Sequence, residues 1–135
     1  MLLYSLVFPF HSYLRWLILL IGLVAVIRFT YGWLRGSAFT GVDRGLTAAF
    51  GWLIVLQAFF GLVLLFGLAK TGEGYPMVRF EHAGFMAVVI ILAHLPARWK
   101  NAADDVRFRN ALLCVLGALL LVYLGVARLP GGWNR

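Results

Sequence analysis

Four long apolar blocks, separated by short polar segments, limit what this chain can fold into. A helix needs about 20 consecutive, mostly apolar residues to cross a hydrocarbon layer of about 30 Å, and each block has about that length. The chain is 63% hydrophobic and 13% charged, whereas a soluble domain is about half apolar and about a quarter charged. The sequence therefore predicts an all-α membrane protein, with one domain over residues 1–135 that forms a four-transmembrane-helix antiparallel bundle.

The predicted helices cover residues of about 11–35, 46–68, 76–99 and 108–128. Residues 1–10 are apolar but too short to span a bilayer, and Pro9 suits a position just before a helix start, so we expect an interfacial lead-in there. The first ten residues also lack the positive charge of a signal peptide, which favours a retained first helix. Pro96 is expected to kink or end the last turn of the third helix.

Basic residues lie mainly at the ends of the apolar blocks, where they suit lipid headgroups rather than nucleic acid. The formal charge is +7, from 12 Lys and Arg against 5 Asp and Glu. The first and third connections, with adjoining helix ends, carry Arg28, Arg35, Arg44, Arg98, Lys100, Arg107 and Arg109. The opposite side carries Arg15, Lys70, Arg79, Arg128 and Arg135. Because cytoplasmic loops hold the excess of Lys and Arg, this bias predicts a multi-pass protein of the bacterial cytoplasmic membrane with both termini in the periplasm.

Two histidines lie at matching depths. His11 and His82 each stand near the start of a helix, and the first and third helices of the bundle run in the same direction, so both imidazoles are expected near the outer face. Two imidazoles on facing helices can ligate one haem iron from opposite sides. Arg15 lies one turn after His11, and Arg79 lies one turn before His82, so both arginines could pair with haem propionates. The pattern is consistent with one haem b bound by His11 and His82.

Each of these residues also has a simpler interpretation. A histidine in the first turn of a membrane helix can bind only water or a headgroup, and Arg15 and Arg79 can be ordinary headgroup anchors. Gln57 is either a cofactor-binding residue or a cross-helix hydrogen bond. Glu81 could accept a proton from a quinol or satisfy the helix start. His94 lies 12 residues beyond His82, which places it roughly 18 Å deeper and about 120° around the helix, where no other histidine is expected.

Several function classes find no support in the sequence. The single cysteine, Cys114, suits a small packing residue, and the absence of a Cys-x-x-Cys-His segment excludes covalently attached haem c. No paired carboxylates, nucleophile–base pair or zinc ligands stand at membrane depth, so any enzymatic role is at most that of an electron-transfer component.

Small residues recur every seven positions at Ala111, Ala118 and Gly125, which predicts a close helix contact along one face of the fourth helix.

Short motifs recur along the chain in a recognisable order. They are His11-Ser12-x-Leu14-Arg15-Trp16, Phe39-Thr40-x-x-Asp43-Arg44, Gln57-x-x-x-Gly61, Glu81-His82 and the Pro130-x-x-Trp133 ending. Together they resemble a family of small bacterial four-helix integral membrane proteins often labelled cytochrome b-like, and the resemblance implies a haem b cofactor. Some members carry a histidine two residues before the glutamine, where this chain has Val55.

Two functions remain open from the sequence. One is a membrane b-type cytochrome-like electron-transfer protein or module, with one haem near the outer face. Such a module would pass electrons from quinol within a larger respiratory or photosynthetic assembly. The alternative is a haem-free accessory or structural subunit of a large membrane complex. A small transporter or channel is disfavoured, because no pair of broken helices or ring of like charges is present. Both open functions imply a lipid bilayer, other membrane subunits and no nucleic acid as partners.

Overall fold

The computed structural model describes residues 2–68 and 76–134, which form four long α-helices and no strand. The helices are α1 (Leu2–Arg35), α2 (Gly41–Leu68), α3 (Met77–His94) and α4 (Asp104–Ala127). Two 3₁₀ segments follow α3 and α4, at Leu95–Trp99 and Gly132–Asn134. All four α-helices are long and apolar enough to cross a membrane, which confirms the predicted all-α membrane bundle. The predicted second connection, residues 69–75, lies outside the described residues.

The helices form a ring in which α1 packs against α2, α2 against α3, α3 against α4, and α4 against α1. α1 and α3 therefore lie diagonally across the bundle. The end where α1 and α3 begin and α2 and α4 end is called the histidine end, because it holds His11 and His82. The other end, where α2 and α4 begin, is called the basic end, because it holds Arg44, Lys100 and Arg107.

The first helix begins earlier than the sequence predicts. α1 starts at Leu2 and carries Pro9 inside it, so the expected lead-in over residues 1–10 is helical. Pro9 is the eighth residue of α1, so it removes the backbone hydrogen bond to the Ser5 carbonyl and its ring crowds that carbonyl. Apolar contacts stabilise the extra turns: Leu3 packs on Gly67, and the Tyr4 and Phe8 rings stack 4.8 Å apart. His11 consequently lies about two and a half turns inside the helix.

The second and fourth helices also begin several residues before their predicted starts. Thr40 precedes α2, and its backbone N–H donates to Asp43 Oδ2 at 2.8 Å. This bond satisfies a group that the helix itself leaves without a partner. α4 begins with Asp104 and Asp105, whose charges are favourable beside the positive end of a helix dipole. Polar residues that the sequence suggested as loop therefore open both helices.

A buried ion pair joins α1 to α2. Arg28 Nε and Nη2 donate to Asp43 Oδ1 and Oδ2 at 2.7 and 3.0 Å, and the Asp43 side chain is 0% exposed. The sequence suggested that Arg28 lies close enough to an interface to reach the headgroups, and the pair with Asp43 gives its guanidinium a partner within the protein. A fully buried carboxylate needs a partner with several hydrogen bonds, and a bidentate guanidinium provides them.

Small residues set the close contacts of α4. Ala111, Ala118 and Gly125 are all buried, as the seven-residue spacing predicted. The ring of Phe108 lies against Gly32 of α1, where a Cβ would come within 2.5 Å of it. Cys114 is buried among packing residues, in agreement with its predicted role. This packing fixes the rotation of α4 and thus the side chains it presents at the histidine end.

Candidate functional site

The five residues that the sequence proposed as a site line one cavity. It lies inside the histidine end and has a volume of about 300 Å³. The polar lining residues are His11, Arg15, Gln57, Arg79 and His82, and the remaining walls are mostly aliphatic. We call this space the histidine cavity. Because the four helices all contribute to it, it exists only in the assembled bundle.

His82 is oriented by the neighbouring helix. Its Nδ1 lies 2.9 Å from the backbone carbonyl oxygen of Gly125 in α4. A carbonyl oxygen only accepts, so Nδ1 carries the proton and donates it, and Nε2 keeps its lone pair. A histidine held in this way is arranged to bind a metal or accept a proton through Nε2.

Gly125 leaves room for α3 to pack closely against α4 beside this bond. A Cβ at Gly125 would lie 3.4 Å from His82 Nδ1 and 2.9 Å from Cε of Met86. The sequence predicted Gly125 only as part of a packing strip. Gly125 has a second role, because its carbonyl accepts the hydrogen bond from His82. This role could be recognised only once the rotation of α3 against α4 was known.

Two residues of α2 contact His11, one at its backbone and one at its ring. Gln57 Nε2 donates to the backbone carbonyl of His11 at 2.8 Å. One turn later, Gly61 leaves room for the imidazole, since a Cβ there would come 3.1 Å from His11 Cε1. Both residues of the Gln57-x-x-x-Gly61 motif therefore contact His11: Gln57 bonds to its backbone carbonyl, and Gly61 packs against its imidazole ring.

Gln57 is the cross-helix hydrogen bond that one interpretation of the sequence predicted, and it also faces the cavity. Its Nε2 is used by His11, while its buried Oε1 has no hydrogen-bond partner among the described residues. Buried acceptors are nearly always satisfied by protein, water or ligand. Oε1 is therefore an available acceptor in the cavity wall.

Arg15 is buried between two tryptophans. Only 8% of it is exposed, and its Cζ lies 5.3 Å from the Trp16 ring centroid and 5.1 Å from that of Trp133. A guanidinium at these distances is stabilised by the faces of both rings. The interpretation of Arg15 as an exposed headgroup anchor was wrong. Its position on the cavity wall suits an anionic group inside the cavity.

Trp133 reaches this position because the chain reverses after α4. Gly131 and Gly132 have φ angles of 80° and 48°, which only glycine adopts readily. The turn returns Trp133 over α1, where it meets Arg15 and Trp16, and its ring stacks on Tyr123 at 5.8 Å. α4 ends at Ala127, and the tryptophan of the Pro130-x-x-Trp133 ending packs on the bundle.

The remaining charges at this end separate into two groups. Arg79 lines the cavity with Arg15, and none of the described residues that line it is a carboxylate. Glu81 lies outside the lining, where its Oε2 accepts from Arg128 Nη2 and Nε at 2.8 and 3.0 Å. The cavity therefore favours an anion, while Glu81 ties the start of α3 to the end of α4.

The polar residues of the histidine cavity suit a haem, whereas the cavity volume is small for one. Two half-buried imidazoles on diagonal helices are the kind of side chain that could hold a haem iron, and two arginines suit its propionates. No group of three or more metal-binding side chains exists among the described residues, but a haem needs only two from the protein. The volume of about 300 Å³ is at the lower end of the ~300–1,000 Å³ typical of ligand sites. A porphyrin is larger, so binding would displace flexible lining side chains such as Met86.

His94 stands apart from this site, as its helical position predicted. It is exposed at the basic end, where its Nδ1 donates to the carbonyl of Ile90 in its own helix at 2.9 Å. Its ring meets the edge of Trp52, with the centroids 6.1 Å apart. It lines a second cavity and takes no part in the first.

Comparison of the chain with family models, curated proteins and solved structures finds no match.

Proposed function

We propose that the protein is a membrane b-type cytochrome-like electron-transfer module that holds one haem b in the histidine cavity. The observation that carries the proposal is the convergence of His11, His82, Arg15 and Arg79 on one cavity of about 300 Å³. The bond from His82 Nδ1 to Gly125 adds to it, because it directs the Nε2 lone pair away from α4. A haem in such a site supplies one-electron chemistry at its iron.

The residues of the chain divide the work of binding. His11 and His82 would hold the haem iron, and the Gly125 carbonyl would make His82 a stronger ligand through the proton on Nδ1. Arg15 and Arg79 neutralise the carboxylates of the ligand in a region of low dielectric. Gln57 fixes the segment of α1 that bears His11 and offers Oε1 as an acceptor.

The placement of the site favours a module over an independent carrier. The cavity lies at one end of the bundle, and a single redox centre near one face cannot move electrons across the bilayer unaided. The proposed setting is therefore a larger respiratory or photosynthetic assembly in the bacterial cytoplasmic membrane, with the termini and the histidine end in the periplasm. Quinol is the proposed electron donor.

The visible spectrum of the purified protein tests this function. We expect a reduced-minus-oxidised difference with b-type bands and one haem per chain by the pyridine haemochrome assay. His82→Ala and His11→Ala should each abolish or strongly shift these bands. His94→Ala is the matched control, because it removes the same side chain outside the cavity, and it should keep the wild-type spectrum.

Other outcomes would decide against the haem. A colourless preparation that is folded by circular dichroism, and that binds no added haemin, would reject the proposal. It would favour the alternative of a haem-free accessory subunit. Loss of colour in His94→Ala to the same degree as in His82→Ala would show that the bands report folding and not ligation.

A quinol site is a second candidate, and the cavity volume favours it. A quinone ring is smaller than a porphyrin and fits about 300 Å³ without rearrangement. His82 Nε2 and Gln57 Oε1 are acceptors suited to the two quinol hydroxyls. A folded colourless protein that binds a quinone analogue, with weaker binding in His82→Ala and Gln57→Leu, would select this candidate over the haem.

A further inference from the structure

The basic end holds a second cavity, of about 310 Å³, that the proposed electron-transfer role does not use. Its charged lining residues are Arg44 at the start of α2, Lys100 after α3 and Arg107 at the start of α4. We call this space the basic cavity. We propose that it binds the phosphate of an anionic phospholipid, with the acyl chains lying along the apolar wall beside Trp52.

The charges in this cavity are unbalanced. None of the described residues that line it is a carboxylate. Asp43, the acid nearest in sequence, is buried and bonded to Arg28 and Thr40. Asp104 is at the rim, where its Oδ1 is 3.8 Å from Arg107 Nη1 and its side chain is 47% exposed. Three cations therefore share one space, with the partly exposed Asp104 beside Arg107 as their nearby counter-charge.

Arg107 is prearranged for an anion. Its side chain is 14% exposed, and its Cζ lies 4.1 Å from the centroid of Phe39. Stacking on the ring holds the plane of the guanidinium and leaves its N–H edge for a hydrogen-bonding acceptor. Phosphate oxygens are acceptors that a guanidinium binds in bidentate fashion.

The apolar lining residues indicate that the phosphate belongs to a lipid. Trp52 is 68% exposed on the outer face of α2, and small apolar residues, including Ala93 and Ala97, line the space beside it. Amphipathic aromatic side chains of this kind are typical of the headgroup level of a bilayer. A cavity that joins three cations to a lipid-facing apolar wall suits a molecule with a phosphate on an acyl-bearing body. Basic pockets between membrane helices are suited to such headgroups.

The glycine at position 51 keeps the cavity open to His94. A Cβ there would approach His94 Nε2 to 3.2 Å. Because Nδ1 of His94 donates to Ile90, the Nε2 atom is left as an acceptor in the neutral ring and becomes a donor when the ring is protonated. The three permanent cations carry the phosphate site, and His94 borders it.

Native mass spectrometry of the full chain in detergent tests the proposal, with phosphatidylglycerol and phosphatidylcholine of matched acyl chains as probes. Wild type should retain phosphatidylglycerol in preference to phosphatidylcholine. Arg44→Gln combined with Lys100→Gln should weaken phosphatidylglycerol binding about 30-fold, from about fivefold for each cation near an anionic lipid. Both side chains are exposed, so this variant is expected to fold.

The matched control is Arg35→Gln combined with Arg109→Gln. It removes the same charge from exposed residues at the same end, but neither residue lines the cavity. This control should bind phosphatidylglycerol as wild type does. Equal losses in the two double variants would overturn the proposal, because net charge alone would then explain binding. Equal retention of the two lipids by wild type would also overturn it.

Inorganic phosphate distinguishes the two sources of the anion. If excess phosphate displaces phosphatidylglycerol and raises the thermal unfolding temperature as much as the lipid does, the ligand is a free phosphate and the lipid assignment fails. If phosphate has neither effect, the acyl-bearing body is part of what the cavity recognises, as proposed.

Discussion

The two ends of the bundle enclose cavities of nearly equal volume, about 300 and 310 Å³, but they hold their polar groups in opposite ways. At the histidine end Arg15 is buried between two rings and His82 is bonded to a neighbouring helix. At the basic end Lys100 is exposed and His94 is bonded to its own helix. A side chain held by tertiary contacts keeps its orientation only in the folded bundle. The histidine cavity is thus prearranged by several tertiary contacts, whereas in the basic cavity Arg107 is held on Phe39 while Arg44 and Lys100 are exposed.

The ion pairs show the reverse contrast: the more buried pair lies near the basic end and the more exposed pair lies at the histidine end. The buried, bidentate pair of Arg28 and Asp43 stands toward the basic end, while the pair of Glu81 and Arg128 at the histidine end is exposed on both sides. The basic end therefore has the stronger ion pair between helices, although the side chains of its cavity are the more exposed. Helix ends and cavity walls are stabilised by different residues in this bundle.

The largest effect is expected from Asp43→Asn. It leaves Arg28 without its counter-charge and replaces an acceptor of the Thr40 N–H, which should cost about 3 kcal/mol of the free energy of unfolding. Unfolding by sodium dodecyl sulphate in mixed micelles measures it. Asp105→Asn, an exposed carboxylate in the first turn of α4, is the control and should stay within about 0.5 kcal/mol. An equally small loss in Asp43→Asn would show that the pair is replaceable by water.

Gly125→Ala probes the orientation of His82. A Cβ at this position would come 3.2 Å from Phe85 Cβ and 2.9 Å from Met86 Cε, so α3 would have to shift against α4 and the His82 ring should lose its bond to the carbonyl. Removing the partner that orients a metal-binding histidine weakens metal binding roughly 10- to 100-fold. Titration of the apoprotein with haemin measures this. Gly117→Ala on the same helix, where a Cβ meets only Leu92 at 3.4 Å, should bind as wild type. Equal affinity in both variants would remove the Gly125 carbonyl from the site.

Arg15→Lys tests whether the buried cation needs its rings. A lysine keeps the charge but not the planar stacking on Trp16 and Trp133, so we expect a loss of about 1 kcal/mol of the free energy of unfolding. Near-ultraviolet circular dichroism should report the changed packing of the tryptophans. Arg44→Lys, at the open end, should have no measurable effect on stability. Similar losses in both variants would contradict the contrast drawn between the two ends.

The smallest effect is expected from Glu81→Gln. Its pair with Arg128 is 38% and 58% exposed, and exposed ion pairs contribute about 0–1 kcal/mol. The unfolding curve should therefore stay close to wild type, and any difference should fall as salt is added. A loss as large as that of Asp43→Asn would mean that this pair is shielded by lipid or by a neighbouring subunit.

The helices and the placement of His11 and His82 at one end of the bundle could be predicted because they depend on few properties. Apolar blocks of spanning length predicted the four helices, and parallel chain direction placed both histidines at one end. The helix starts were less predictable. A proline inside α1 and the acid-rich beginnings of α2 and α4 look like loop in sequence, but tertiary contacts and the capping by Asp43 make them helical.

The finer parts of the site depend on rotation, which the sequence does not specify. Gln57 and Gly61 were recognised as a pair, but their common target, His11, follows from how α2 faces α1. The Gly125 carbonyl and the position of Trp133 over Arg15 depend on packing across chain-distant segments. A regular period of small residues indicates a contact face without identifying the polar groups at its end.

The early start of α1 changes how the protein must sit in a bilayer. The helix has 34 residues, which span about 51 Å at ~1.5 Å per residue, whereas the hydrocarbon layer is about 30 Å thick. Its first turns are apolar and exposed, with Leu2 at 75% and Leu6 at 56%, so leaving them in water would be unfavourable. A tilt of α1, a locally thickened bilayer or a neighbouring chain would cover the projecting turns, while Arg28 and Arg35 at the other end suit the headgroups.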